Sequence, residues 1–428
     1  MHAAAVVTLT IGLLGTVALP EFLTVLMFFF LSVVLAVAPP NVVFSGFFSG
    51  ALWLVFGGLI IGVAIDETGL GKRIAGTLVR LFAGSYAAMI FGTVWGMTLL
   101  SFLMPSSVGR IVIMLPIVLA LAERLGFERG SRGRAGLALA VGTGSLIPTF
   151  AILPASVPNV AMAGAAEAIH GLRFSYSEYL VLHFPVIGLV SLLALPVFLL
   201  LLFPARTIPV AGTEKRTRLS AGEGRLIMFL VTALALWATD SIHGVAPAWI
   251  SLGAGIICVM PGVGVIAPGN MMQKLNFGPI LFLAGVIGMG AVVTHTGLGR
   301  LVGGALLEVM PLQGSGLQRF ASLVGLGVGM GVVTTLPGQP AIMTALAETL
   351  AQGTGWPLLT VVMAQVPSWA LMMFPYQAPP MVVTMAISRL PVSQFLRILL
   401  PFALFGWAVM VPLQYLWWRY LGYIPAAG

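Results

Sequence analysis

Apolar stretches close to the length of a membrane span recur along almost the whole chain, and the polar breaks between them are short. A helix needs about 20 predominantly apolar residues to cross the hydrocarbon core. Only 7% of the 428 residues are charged and 59% are hydrophobic, against about 25% charged in a soluble domain. A chain of this kind folds in lipid, where every backbone N–H and C=O must be satisfied internally, so it forms helices or a closed barrel. The runs are continuous, not alternating, which excludes barrel strands. The expected class is an all-α polytopic membrane protein.

That class changes the meaning of the charge. A net +8 on a soluble protein would suggest nucleic acid. Here it reflects the gathering of Lys and Arg in cytoplasmic loops, and no nucleic-acid partner is expected. The single cysteine, Cys258, lies in an apolar run and permits no internal disulfide. The first segment, "AAAVVTLTIGLLGTVALP", has only His2 before it. It lacks the basic start of a signal peptide and reads as a first span.

The expected spans are roughly 3–19, 21–38, 46–66, 135–160, 179–203, 226–241, 246–265, 278–295, 357–384 and 394–418. Two further apolar regions, 86–125 and 316–352, are interrupted midway by "MPSSVGR" and "TTLPGQP". Both read as re-entrant helical hairpins.

The chain also repeats itself. "TGLG" at 68–71 returns at 296–299, "ALAERL" at 120–125 returns as "ALAETL" at 345–350, and "LPASVPN" at 153–159 returns as "FPYQAPP" at 374–380. The order is kept. This divides the chain into a first repeat, 1–205, a polar linker, 206–225, and a second repeat, 226–428. Each repeat would hold about five spans, one hairpin and one broken span (135–160 or 357–384). An odd number of spans inverts the second repeat. With the linker placed in the cytoplasm, fifteen Lys and Arg residues fall inside and four outside (Arg173, Arg300, Arg319 and Arg419), leaving Arg110 in the membrane. Inverted repeats with interrupted helices near the midplane are the architecture of secondary transporters.

Four breaks would meet at the repeat interface: 105–110, 142–159, 334–340 and 365–380. Helix N-termini there favour an anion, and free carbonyls and hydroxyls favour a small cation.

At these breaks the chain resembles the divalent anion:sodium symporters of the ion-transporter superfamily. "SSVGRIVIMLPI" at 106–117 is similar to the family's first hairpin-tip motif, with Ser107 and Val108 where that motif has Asn and Thr. "SVPN" at 156–159 and "APPM" at 378–381 stand where the family has its proline-rich breaks. The resemblance covers most of the chain and implies an elevator-type displacement, a homodimer, an anionic substrate and sodium as the candidate coupling ion, with no other cofactor. It implies substrate-facing positions at Ser106, Ser107, Pro158, Asn159, Thr334, Thr335 and Pro379.

Each residue has two readings. Arg110 would bind the anion or stand in for a coupling cation, since guanidinium matches carboxylate and sulfate. Otherwise it caps hairpin carbonyls or snorkels to the surface. Ser106 and Ser107 are ligands or helix caps. Asn159 binds substrate, caps the returning helix, or does both. Gln377 and Gln339 would line the site from the second half, since buried amides in a membrane need partners. Ser106, Gly142, Thr143, Gly144 and Gln339 are candidate cation-binding positions, and the glycines alternatively serve close helix packing. His183 and His295 are candidate proton relays, with an interfacial place the favoured reading.

No HExxH, GxSxG or paired intramembrane acid occurs, so an embedded enzyme is the least favoured class, and neither catalytic residues nor a metal site is expected. A secondary transporter of a small anion, such as a di- or tricarboxylate or sulfate, is the leading expectation. A sodium-independent exchanger or a channel is the alternative. The expected location is the inner (cytoplasmic) membrane with the linker inside. In a Cys258→Ser background, a cysteine introduced at Thr213 should react with an impermeant maleimide only in inverted vesicles; labelling in intact cells would reverse the topology.

Overall fold

The computed structural model describes residues 2–16, 18–81, 85–104, 106–206, 219–311 and 314–425. Pro105, at the expected first tip, and residues 207–218 of the expected linker lie outside them. Helices and short turns account for the regular structure, and no strand occurs among the described residues.

The first half runs α1 (His2–Thr16), α2 (Glu21–Val34), α3 (Gly50–Thr68), α4 (Leu70–Leu81), α5 (Tyr86–Leu103), α6 (Ser107–Arg124), α7 (Arg132–Gly144), α8 (Val157–His170) and α9 (Tyr176–Leu202). The second half runs α10 (Ala221–Ala238), α11 (Pro247–Val259), α12 (Gly278–His295), α13 (Leu298–Val309), α14 (Gly316–Val333), α15 (Gln339–Thr354), α16 (Leu358–Ala370), α17 (Pro379–Ser388) and α18 (Val392–Tyr420). Seven of these are long and apolar enough to cross a membrane: α3, α5, α9, α10, α12, α14 and α18.

The order of elements recurs, and the three sequence matches fall on equivalent places. Each "TGLG" makes a left-handed turn, with φ +75° at Gly69 and +73° at Gly297, before the short helices α4 and α13. Only glycine adopts that conformation cheaply. "ALAERL" and "ALAETL" lie toward the ends of the returning hairpin arms α6 and α15, and the proline-rich segments fall in the breaks before α8 and α17. The last helix of each half carries a π turn, at Phe184–Gly188 and Gly406–Met410.

Contacts follow the same exchange. α3 packs on α11 as α12 packs on α2, and hairpin arm α6 packs on α17 as α15 packs on α8. Each returning hairpin arm therefore lies against the broken span of the other half. The expected spans 135–160 and 357–384 are each two helical pieces, α7 and α8 or α16 and α17, separated by irregular backbone with short 3₁₀ turns. Hairpin arms α5 and α6 have 18 residues each, about 27 Å at 1.5 Å per residue.

Side-chain pairs brace the ends of the bundle. Arg73 grips Glu223 through Nε–Oε1 at 2.6 Å and Nη2–Oε2 at 2.9 Å, while Glu223 also closes a capping box with Ser220. Lys274 pairs with Glu67. Both pairs join residues that the charge pattern assigns to the same side. At the other end, Asp240 accepts hydrogen bonds from the Tyr176 N–H and from Ser177 Oγ, the latter at 2.7 Å.

The α3–α11 contact depends on small residues. A Cβ added at Gly57 would lie 2.4 Å from the Ser251 backbone, whereas one added at Gly253 would meet nothing within 4 Å. Gly57→Ala should therefore destabilise by about 1–3 kcal/mol through overpacking, seen as a lower apparent Tm in detergent. Gly253→Ala should leave it unchanged or slightly raised.

Candidate functional site

The first hairpin turns where α5 ends. Met104 is extended and its N–H still bonds Leu100 O at 2.7 Å. Ser106 caps α6 by accepting the Gly109 N–H at 3.1 Å. Helix ends leave carbonyls and N–H groups without intrahelical partners, and Arg110 collects the carbonyls.

Arg110 is fully buried. Its Nη1 donates to Met104 O at the end of α5. Its Nη2 lies 3.0 Å from Ser107 Oγ, 2.8 Å from Ser145 O and 3.2 Å from Ala155 O, and its Nε 3.3 Å from Ser145 Oγ. Ser145 Oγ donates back to Ser107 O at 3.1 Å, and Ser107 Oγ donates to Ala155 O at 3.2 Å. The guanidinium thus ties the tip to both ends of the unwound stretch between α7 and α8. The tip sits at the depth of that break. Every hydrogen-bond partner of Arg110 is a neutral oxygen of the protein, which is the capping arrangement among its sequence readings.

The unwound stretch is held from its far side by Asn159. Its Nδ2 donates to Phe150 O at 3.1 Å and Ile152 O at 2.7 Å, while its Oδ1 accepts from Ser156 Oγ at 2.8 Å. Tyr179 Oη adds a bond to Phe150 O at 2.9 Å. Pro158 occupies the first turn of α8, where its missing N–H is harmless. Thr143 Oγ1 returns to Leu139 O in its own helix at 2.6 Å. Gly142 and Gly144 are where Thr384 of α17 and Val94 of α5 approach: an added Cβ would lie 2.8 Å and 3.0 Å from them.

The second tip has the same plan with different contents. Thr334 Oγ1 bonds Met330 O at 2.9 Å, and the Leu336 N–H bonds Gln377 O at 2.7 Å, joining the tip to the second break. Gln339 Nε2 donates to Ser368 Oγ at 3.0 Å, and Ser368 Oγ donates in turn to Gln365 O at 2.5 Å. Gln365 Nε2 reaches Val362 O at 2.9 Å. Gln377 Oε1 accepts the Met373 and Phe374 N–H groups, each at 2.8 Å. Pro379 opens α17. The glycine face of α14 admits these side chains: a Cβ at Gly331 would lie 3.1 Å from Gln339 Oε1 and 3.3 Å from Gln377 Nε2.

Four buried polar atoms remain without a partner here: Thr335 Oγ1, Gln339 Oε1, Gln365 Oε1 and Trp369 Nε1. Such atoms are few in folded proteins, and each calls for an explanation such as a bound ion, water or ligand. The first tip and its break have none among their described residues. The two sides meet where the Trp369 ring packs edge-on to Phe150, 5.9 Å between centroids. His183 is also buried, against Tyr179 and Trp418, with both ring nitrogens unpartnered. His295, at the end of α12, is exposed.

Sequence reasoning brought together Ser106, Ser107, Arg110 and Asn159 on one side, and Thr334, Thr335, Gln339 and Gln377 on the other. It passed over Gln365, Ser368 and Trp369. Their signal lay in the second break itself, "QVPSWALMMFPYQAPP", where polar side chains interrupt an apolar span.

The family described as "Sodium:sulfate symporter transmembrane region" matches residues 1–424. A membrane protein of Cupriavidus necator is 25% identical over 89% of this chain and 77% of its own length. The inner membrane protein YbhI of Escherichia coli K12 is 23% identical over 73% of this chain and 71% of its own. The L-tartrate/succinate antiporter of the same strain is 24% identical over 62% of this chain and 58% of its own. Among solved structures, the YdaH transporter of Alcanivorax borkumensis superposes with a TM-score of 0.56 at 16% identity, over 90% of this chain and 88% of that one. MtrF of Neisseria gonorrhoeae gives 0.54 at 14% identity, over 89% and 83%. These two likenesses concern the fold. With its multi-pass helical fold and a family match over nearly its whole length, the chain belongs to the sodium:sulfate symporter transmembrane family of secondary anion transporters.

Proposed function

We propose that the protein carries a small divalent anion, a dicarboxylate or sulfate, across the inner membrane, seating it between the two hairpin tips. The observation that carries this reading is the set of unpartnered polar atoms at the second tip and its break, beside a first tip and break whose described polar side chains are all partnered, the two breaks touching at Phe150 and Trp369. A hydroxyl, two amide oxygens and an indole N–H offer two donors and three acceptors. They suit an anion that arrives with a cation or a bound water. Arg110 adds a fixed positive charge on the opposite side.

The two repeats, 1–205 and 226–428 about a cytoplasmic linker, are read as inverted. The exchanged contacts of α6 with α17 and α15 with α8 support that reading. Movement is then a displacement of the hairpin-bearing parts, in a homodimer, with sodium as the coupling ion. The antiporter among the relatives favours a second mode, sodium-independent exchange of one anion for another. Proteoliposomes loaded with unlabelled succinate or sulfate separate the two modes. Exchange accumulates labelled anion without a sodium gradient. Symport requires the gradient. No saturable uptake of any dicarboxylate or sulfate in either condition overturns the anion reading.

The unpartnered hydroxyl gives a sharper expectation. Replacing a buried, unsatisfied polar group by an isosteric apolar one is neutral or stabilising. Thr335→Val should therefore hold or raise the apparent Tm of the free protein while weakening anion binding about tenfold, roughly 1.4 kcal/mol. Ser107→Ala should do the reverse. It removes a group with partners on both sides, lowering stability by about 1–3 kcal/mol with a smaller effect on binding. Ligand-induced shifts of apparent Tm over a titration read both quantities.

A further inference from the structure

The two tips share one kind of contact and differ there in charge. Arg110, in the first turn of α6, and Gln339, the first residue of α15, each send a side-chain N–H to a serine of the adjacent break, Ser145 or Ser368. In the second half the side chain is a neutral amide whose oxygen is left over. In the first half it is a cation. Around that cation stand five neutral oxygens: Met104 O, Ser107 Oγ, Ser145 O, Ser145 Oγ and Ala155 O. Two of them, Met104 O and Ser145 O, lie at the C-terminal ends of α5 and α7, where the helix dipoles are negative. None of the ion pairs among the described residues involves Arg110.

A buried guanidinium without a carboxylate is unusual, because a buried charge is ordinarily paired. Carbonyl and hydroxyl oxygens at broken-helix ends are instead the donor set that holds small free cations in membrane transporters. We propose that Arg110 is a tethered cation. It fills an oxygen cage that would otherwise take a free monovalent cation, so the first side of the site carries its positive charge permanently. Any response of the wild-type protein to monovalent cations then arises elsewhere. This deepens the transport reading by fixing one charge of the site, but it is testable without any anion.

The test is the apparent Tm of purified protein in choline chloride, with methylguanidinium chloride added to tens of millimolar and the neutral isostere methylurea as control. Arg110→Gly should lose several degrees relative to wild type. Methylguanidinium should recover at least half of that loss, saturably, because a ligand of the folded state raises its stability by mass action. Methylurea should not, and wild type should respond to neither. Equal responses to the two additives, no response to either, or the same methylguanidinium shift in wild type would overturn the proposal. If Arg110→Gly yields no folded protein with methylguanidinium present during extraction, Arg110→Lys and Arg110→Met decide. A folded lysine variant with a higher Tm than the methionine variant supports a tethered cation, and a methionine variant at least as stable overturns it. An anion that fails to bind leaves these readings intact, so failure of the transport reading is distinguishable.

Discussion

Helix ends that stop inside a membrane cannot be left to water, and the whole centre of this protein is arranged around that constraint. At the first break the solution is one side chain. Arg110 takes the terminal carbonyl of a hairpin arm and the carbonyls at both ends of an unwound span, and its two serine neighbours close the remaining bonds. An arginine at the bilayer centre is costly, by about 2.5–3.5 kcal/mol on insertion scales. Hydrogen bonds to a charged group contribute about 1.5–3 kcal/mol each, so a guanidinium with several carbonyl partners more than offsets that cost. Asn159 and Tyr179 extend the same arrangement to the far side of the stretch.

The second break is built differently. Its backbone is joined to its hairpin by the Leu336–Gln377 bond, and its amides satisfy some groups while leaving others open. A satisfied polar network is rigid, and a partly satisfied one is available to something else. The fold thus places a closed, charged half against an open, neutral half across the Phe150–Trp369 contact. The small-residue faces of α3, α11 and α14 let the elements come close enough for this arrangement.

Much of the layout was legible in the chain. The "TGLG" pair marked two left-handed turns because glycine is the residue that adopts them. The "ALAERL" and "ALAETL" pair marked the returning hairpin arms, and the prolines at 154, 158, 375 and 379 marked the breaks. Ser106 read as a ligand before a cap, and its side chain caps α6. Less legible was the use made of each polar group. Thr143 read as a candidate cation-binding position, yet a threonine inside a regular turn bonds the carbonyl four residues back, whereas Ser145, just past the helix end, bonds the hairpin. Ser368 and Gln365 were hidden in an apolar span whose irregular path local pattern does not describe.

By itself, the sequence determined that this protein lives in a membrane, that it is helical, where its spans break, and that one half echoes the other. These follow from composition, run length and the short-range preferences of glycine and proline, all local properties. Only the tertiary structure decided that Arg110 reaches Ala155, 45 positions away in the chain, and that Gln339, at the second tip, keeps an oxygen without a partner. Which carbonyl meets which donor depends on how separate helices cross. That is set by packing over the whole molecule and is invisible to any window of sequence.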